Sequence, residues 1–214
     1  MLAKARPIQV LGWSVAAMLA ATVLGLAVFD RRSDPLCATR SQRALIQSEL
    51  ARNPRVWLVD LAHDIHVAEA VILDALPDPE RVGVRGSELP AVWKLLRQRA
   101  DLVLALHNGK HTWRVRGSLP ELTLVKRGDW HVGEDADTLS GRISILDVGV
   151  IYAMPARRED DPAWSVIFLD RGGEVLFQVA PTASAATDRI EASRAKQELL
   201  RSFQALPQVC RAAG

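Results

Sequence analysis

Cysteine is nearly missing from this chain of 214 residues, which has two, Cys37 and Cys210. Neither lies in a CxxC or Cys/His spacing, so a disulfide framework and a cysteine-based zinc site are both excluded. Both are expected to be free thiols; a bridge would close the ends of the domain only in an oxidising compartment. Net charge is equally scant, +2 from 27 Lys plus Arg and 25 Asp plus Glu. Residues 1–40 carry +3 of it, and the remaining 174 residues net −1. A body that close to neutral has no global field for gathering nucleic acid. Internal repeats and low-complexity tracts are missing too. No GxSxG elbow accompanies a histidine, so acyl transfer has no support. Gly172-Gly173 reads as a hairpin turn, because a phosphate-binding loop would need a following helix. What is present is ordinary: 49% apolar and 24% charged residues, the composition of a globular chain with one domain or two small ones.

One stretch stands apart. Residues 8–29, IQVLGWSVAAMLAATVLGLAVF, contain no charge. As a helix they would be about 33 Å long, against about 30 Å for the hydrocarbon core of a bilayer. Trp13 and Phe29 fall near the two ends, where aromatic side chains prefer to sit. A cleaved signal would be shorter and would end in a small-x-small site. The exit here, Ala27-Val28-Phe29-Asp30-Arg31-Arg32, is a poor one, and Leu36-Cys37 lacks the small residue that precedes a lipidated cysteine. The expectation is a membrane protein with a single retained anchor at 8–29. Around it lie a tail at 1–7, a linker at 30–40, one domain at 41–206 and a tail at 207–214. Lys4, Arg6 and the amino terminus on one side balance Arg31, Arg32, Arg40 and Arg43 on the other, so the positive-inside rule gives no direction.

Beyond the linker, Ser41 can cap a helix to about Leu50, closed by Asn53-Pro54. Val67, Val71, Ile72 and Leu76 predict a helix over about 64–76 that stops at Pro77. A third covers about 89–99. From Leu102 the apolar period changes to two, with strands near 102–107, 110–116, 121–126, 130–132, 139–145, 148–154, 163–169 and 174–180. A last helix is expected over about 188–206. Helices, then consecutive strands, then one helix argue α+β with a large, mostly antiparallel sheet. The two helices within 41–76 have the outline of a helix-turn-helix. However, Asp60, Asp64, Glu69 and Asp74, with no Lys or Arg between Val56 and Glu80, would repel phosphates. No nucleic-acid partner is expected.

The most readable piece is LVLALHNGKHTWRVRG. Asn108-Gly109 suits a two-residue type I′ turn, which pairs His107 with Lys110, Leu106 with His111 and Leu104 with Trp113. Leu102, Leu104, Leu106, Trp113 and Val115 then share the core face. Val103, Ala105, His107, Lys110, Thr112 and Arg114 share the other. That second face, with an imidazole, cations and small side chains, is either one wall of a site or a plain solvated surface. His63 and His66 (HDIH), at a helix start, have a spacing at which two imidazoles can share a metal, but no third ligand is near.

The order of segments resembles the HutX/ChuX-type haem-utilisation carriers, each like half of the longer HemS/HmuS-type proteins. The matching stretches are LVDLAHDIHVAEAVILDALP, ELPAVWKLL, LVLALHNGKHTWRVRGSLPE, TLSGRI, VGVIYAM and WSVIFLDRGGEVLFQV, covering nearly all of 41–206. The resemblance implies a haem-binding carrier or storage protein, dimeric, with a large antiparallel sheet. It makes His107 the metal ligand. The family's second histidine falls at Arg142; a guanidinium cannot coordinate iron but can pair with a haem propionate. The sixth ligand is then His131, one strand earlier, or water, or nothing, and Lys110, Arg114 and Arg116 are further propionate partners. The family's Phe-Met-Gly stretch is replaced by ArgArgGluAspAspPro at 157–162, and the membrane anchor is a further departure. The leading reading is a membrane-anchored haem-binding homodimer serving haem uptake, transfer or storage. The alternatives are a divergent non-haem binding or assembly module and, last, a tetrapyrrole-modifying enzyme.

Overall fold

The computed structural model describes residues 34–210 except 78–80, 109–110, 127, 135–138, 158–160 and 183–188; the side chains of 107–108 and 189–192 are also outside the description. The expected anchor at 8–29 lies outside the described residues, among which no helix is long and apolar enough to cross a membrane. Three helices come first: α1 (Arg40–Arg52), α2 (Leu58–Asp64) and α3 (Glu69–Ala75). Strand β1 (Val82–Arg85), a 3-10 turn (Gly86–Glu88) and α4 (Leu89–Arg97) follow. Then come β2 (Leu102–Asn108), β3 (His111–Gly117), β4 (Leu122–Lys126), β5 (Asp129–Val132) and β6 (Gly141–Ser144). The chain ends with β7 (Val148–Pro155), β8 (Trp164–Asp170), β9 (Val175–Pro181) and α5 (Arg189–Gln204). The class is α+β with antiparallel pairing, as the sequence predicts.

Local chemistry explains the differences in detail. Thr39 rather than Ser41 caps α1, through a capping box in which Gln42 N–H donates to Thr39 Oγ1 and Thr39 N–H to Gln42 Oε1. The helix expected over 64–76 is shorter, α3 alone, because His66 takes a left-handed φ of +54° and separates it from α2, which ends at Asp64. His63 and His66 therefore lie at the end of α2, not at a helix start. Strand β1 was not expected; its Gly83 lies against the Tyr152 ring, where a Cβ would overlap the ring carbons.

A six-stranded sheet has the order β1-β7-β8-β9-β2-β3, and a separate three-stranded sheet the order β4-β5-β6. One face of the large sheet packs on α4, α5 and the small sheet, through Val92, Trp93, Leu96, Leu199, Phe203 and Val132. Trp93 sets its edge against Phe168 and Phe177, whose rings stack 4.3 Å apart. The other face carries Tyr152, Met154, Ile167 and Leu169 beneath Leu36, Ala70, Leu73 and Leu76. Burial pushes the Tyr152 hydroxyl well above its ordinary pKa, helped by the charge of Asp74, so it stays protonated.

Asp74, fully buried, fastens these helices. Its carboxylate pairs with Arg43 at 2.7 Å and Arg81 at 3.0 Å and accepts from Ala38 N–H at 2.8 Å. The two ends of the described residues also meet. Val209 N–H donates to Gly83 O and Arg85 N–H to Pro207 O, so the C-terminal segment flanks β1. Cys37 and Cys210 are joined by a disulfide across 173 residues, not left as free thiols. Such separation hides from the sequence that Leu36 and Val209, their neighbours, pack into one apolar cluster.

Candidate functional site

The β2–β3 hairpin is paired two residues out from the expected register. His107 faces Thr112 rather than Lys110, Leu106 faces Trp113, and Leu104 faces Val115. The ladder runs on to Asn108 opposite His111, so Asn108 ends a strand. A shift of this parity keeps the same side chains on each face.

One row across the large sheet shows where the core ends. Val84, Ile151, Phe168, Phe177, Leu106 and Trp113 are successive partners. Phe177 is 6% exposed, Leu106 38% and Trp113 66%. Trp113, expected in the core, is therefore outside it, and His111, expected on the core side, is exposed. Neither Leu106 nor Trp113 belongs to the apolar cluster that α4 and α5 cover.

The next row, on the opposite face, runs Gly83, Tyr152, Ile167, Gln178, Ala105 and Arg114. Tyr152 lies under α3, but Gln178 and Ile167 form the floor of a cleft of about 460 Å³ between the helices and the sheet. Its walls include Val56, Trp57, Leu58, Val59, Leu73 and Met154, and Trp57 and Val59 are more than half exposed. Beyond Gln178 the floor continues through Ala105, with Val103 beside it, to Arg114 and Arg116. An apolar slot thus opens onto a shelf of small side chains ending in two cations, suited to a flat ligand with anionic groups at one edge. Sequence reasoning found the shelf but missed the slot; the signal was Trp57 and Val59, aromatic and β-branched residues at a helix start with no core position to fill.

Glu69 lines the slot and accepts from Val175 N–H at 2.7 Å. Desolvation raises its pKa above the usual carboxylate value; the hydrogen bond opposes this, while Glu174 and Asp170 reinforce it.

The other candidate residues fall elsewhere. His131 and Arg142 are direct partners across β5 and β6, both exposed, in the small sheet. Arg142 is 3.8 Å from Asp129 and rims a hollow of about 370 Å³ with Leu106, Phe177 and Ile143. So His131 meets Arg142, and Arg114 shares a face with Arg116, but the two pairs lie on different sheets. Lys110 and the His107 side chain are outside the described residues. His63 and His66 have ring centres 6.4 Å apart, and among the described residues no group of three or more His, Cys, Asp or Glu could hold a metal.

This architecture recurs in solved structures. ChuX superposes with a TM-score of 0.64 at 17% identity, over 74% of this chain and 98% of its own. The chain has the ChuX fold. A protein from Erwinia carotovora matches with a TM-score of 0.64 at 20% identity, covering 78% of this chain and all of its own. PhuS from Pseudomonas aeruginosa, described as a haem-binding protein, matches with a TM-score of 0.58 at 15% identity; 74% of this chain covers 44% of PhuS. A second ChuX structure is likewise described as that of a haem-binding protein. No family model and no curated protein matches the sequence.

Proposed function

We propose that the chain is a membrane-anchored haem-binding protein with the ChuX fold, acting in haem uptake, transfer or storage. The carrying observation is the slot and the Arg114–Arg116 shelf on one sheet face, in a fold whose solved examples include proteins described as haem-binding. Haem requires apolar walls, cations for its two propionates and a nitrogen or sulfur donor for its iron. Trp57, Val59, Met154 and Ile167 suit the first requirement. Arg114 and Arg116, with Lys110, suit the second, and His107 is assigned the third. Bound haem would supply the redox-active iron and the visible spectrum; the protein excludes water and holds the propionates. Arg142 and His131 lie on the other sheet and are not among the residues lining this slot. Strand β3 ends the large sheet, and the exposure of Trp113, Leu124 and Val125 supports a homodimer that covers them.

Titration of haemin into the detergent-solubilised full chain tests this. A saturable Soret band is expected, lost in His107→Ala. Arg114→Ala or Arg116→Ala should weaken binding roughly 10- to 100-fold, at about 1.5–3 kcal/mol for each charge-assisted contact. Loss of the band on incubation with reductant would point instead to a tetrapyrrole-modifying enzyme. The full chain should also stay in the membrane pellet through alkaline carbonate, and Trp113→Glu should halve the sedimenting mass. One observation favours a second reading: the residues lining the slot include no histidine or cysteine, and Met154 is their one sulfur. No band at all selects the non-haem binding module, whereas an unchanged titration in His107→Ala removes His107 as the iron ligand and leaves haem binding in place.

A further inference from the structure

We propose that the domain stands on the oxidising side of its membrane, where a thiol–disulfide oxidant closes Cys37 onto Cys210. The inference rests on the anchor proposed above and is independent of haem. The chain has two cysteines and the fold brings them together, Cα atoms 5.3 Å apart. Neither is placed by the bond alone. Ala38 N–H is held by the Asp74 carboxylate, and Val209 N–H by Gly83 O, so each cysteine follows or precedes a fixed neighbour. Cys210 takes a left-handed φ of +55°, and its sulfur lies 3.9 Å from the Tyr152 hydroxyl and 3.7 Å from Leu36 O. This pair is built into the fold from three directions. A cytosolic thiol pool keeps such cysteines reduced, whereas extracytoplasmic compartments close them. Charges flanking residues 8–29 are balanced, so nothing in them opposes this side.

The step balances simply. A Cys37 or Cys210 thiolate attacks the oxidant's disulfide, forming a mixed disulfide. The second cysteine displaces the oxidant as a dithiol, so two electrons leave the protein with its two thiol protons. Because Cys210 follows the last helix of the domain, closure follows synthesis of the whole domain. Any protein that gives haem to this domain, or takes haem from it, must then be met on the oxidising side.

The test uses the full-length chain in its native membrane. After acid quench, a maleimide-polyethylene glycol probe should add no label before reduction and two labels after it. Protease added outside sealed, right-side-out vesicles should digest the domain. Two labels without reduction, or a domain protected from that protease, would overturn the proposal. An oxidised chain recovered in the carbonate supernatant would support the oxidising side while refuting the anchor, and haemin titration reads the haem assignment separately.

Discussion

Glu69 shows how much one side chain in the slot can report. Its desolvated carboxyl favours the folded state while protonated. That contribution is fully present below the unfolded value near 4.5 and is lost as pH rises through the raised folded value. Glu69→Gln keeps a carbonyl acceptor for Val175 N–H and removes the charge beside Glu174 and Asp170. The variant should therefore lose less stability than the parent between pH 4.5 and 7. Urea midpoints at the two values measure this, and identical differences in both proteins would show that the buried charge does not act. Gly83 reports on packing instead: with the Tyr152 ring where a Cβ would go, Gly83→Ala should cost about 1–3 kcal/mol of unfolding free energy.

Among the elements, the Asp74 carboxylate ties α1 to α3 and to the start of β1, beside the packing of Ile46 on Val71, Ile72 and Ala75. Asp74→Asn leaves Arg43 and Arg81 facing a neutral group, and Arg81 is only 10% exposed. A loss of about 3–5 kcal/mol is expected for breaking a buried pair, read from denaturant unfolding; a loss under 1 kcal/mol would mean that water replaces the carboxylate. The strands from Leu102 onward were legible to within two residues, because period-two alternation over apolar runs leaves little freedom. The second helix was read too long, since Val67 and Leu76 keep helical spacing just outside the two ends of α3, and nothing in the period marks the left-handed His66 before it. Strand β1 escaped because Val82–Arg85 is four residues with a glycine, too short to show alternation. The cationic shelf was readable from the hairpin's parity. The slot beside it was not, because its walls come from α2, α3, β7, β8 and β9, whose meeting is a property of tertiary packing.

For the whole molecule, the disulfide is the largest single constraint on the unfolded chain. Closing a loop of 173 residues contributes about 5 kcal/mol in the chain-entropy account. Reductant, or the paired change Cys37→Ser with Cys210→Ser, should lower the melting temperature by roughly 10–20 °C, measurable by circular dichroism. An unmoved midpoint would show that flanking contacts of Asp74 and Gly83 already fix both ends. The same bond makes the folded chain nearly a ring. A short peptide joining residue 210 to residue 37 would do covalently what the sulfurs do, and new ends could be opened at the exposed Arg171-Gly172 turn. Such a circular permutant should fold in a reducing cell, with its ends on the β8–β9 turn.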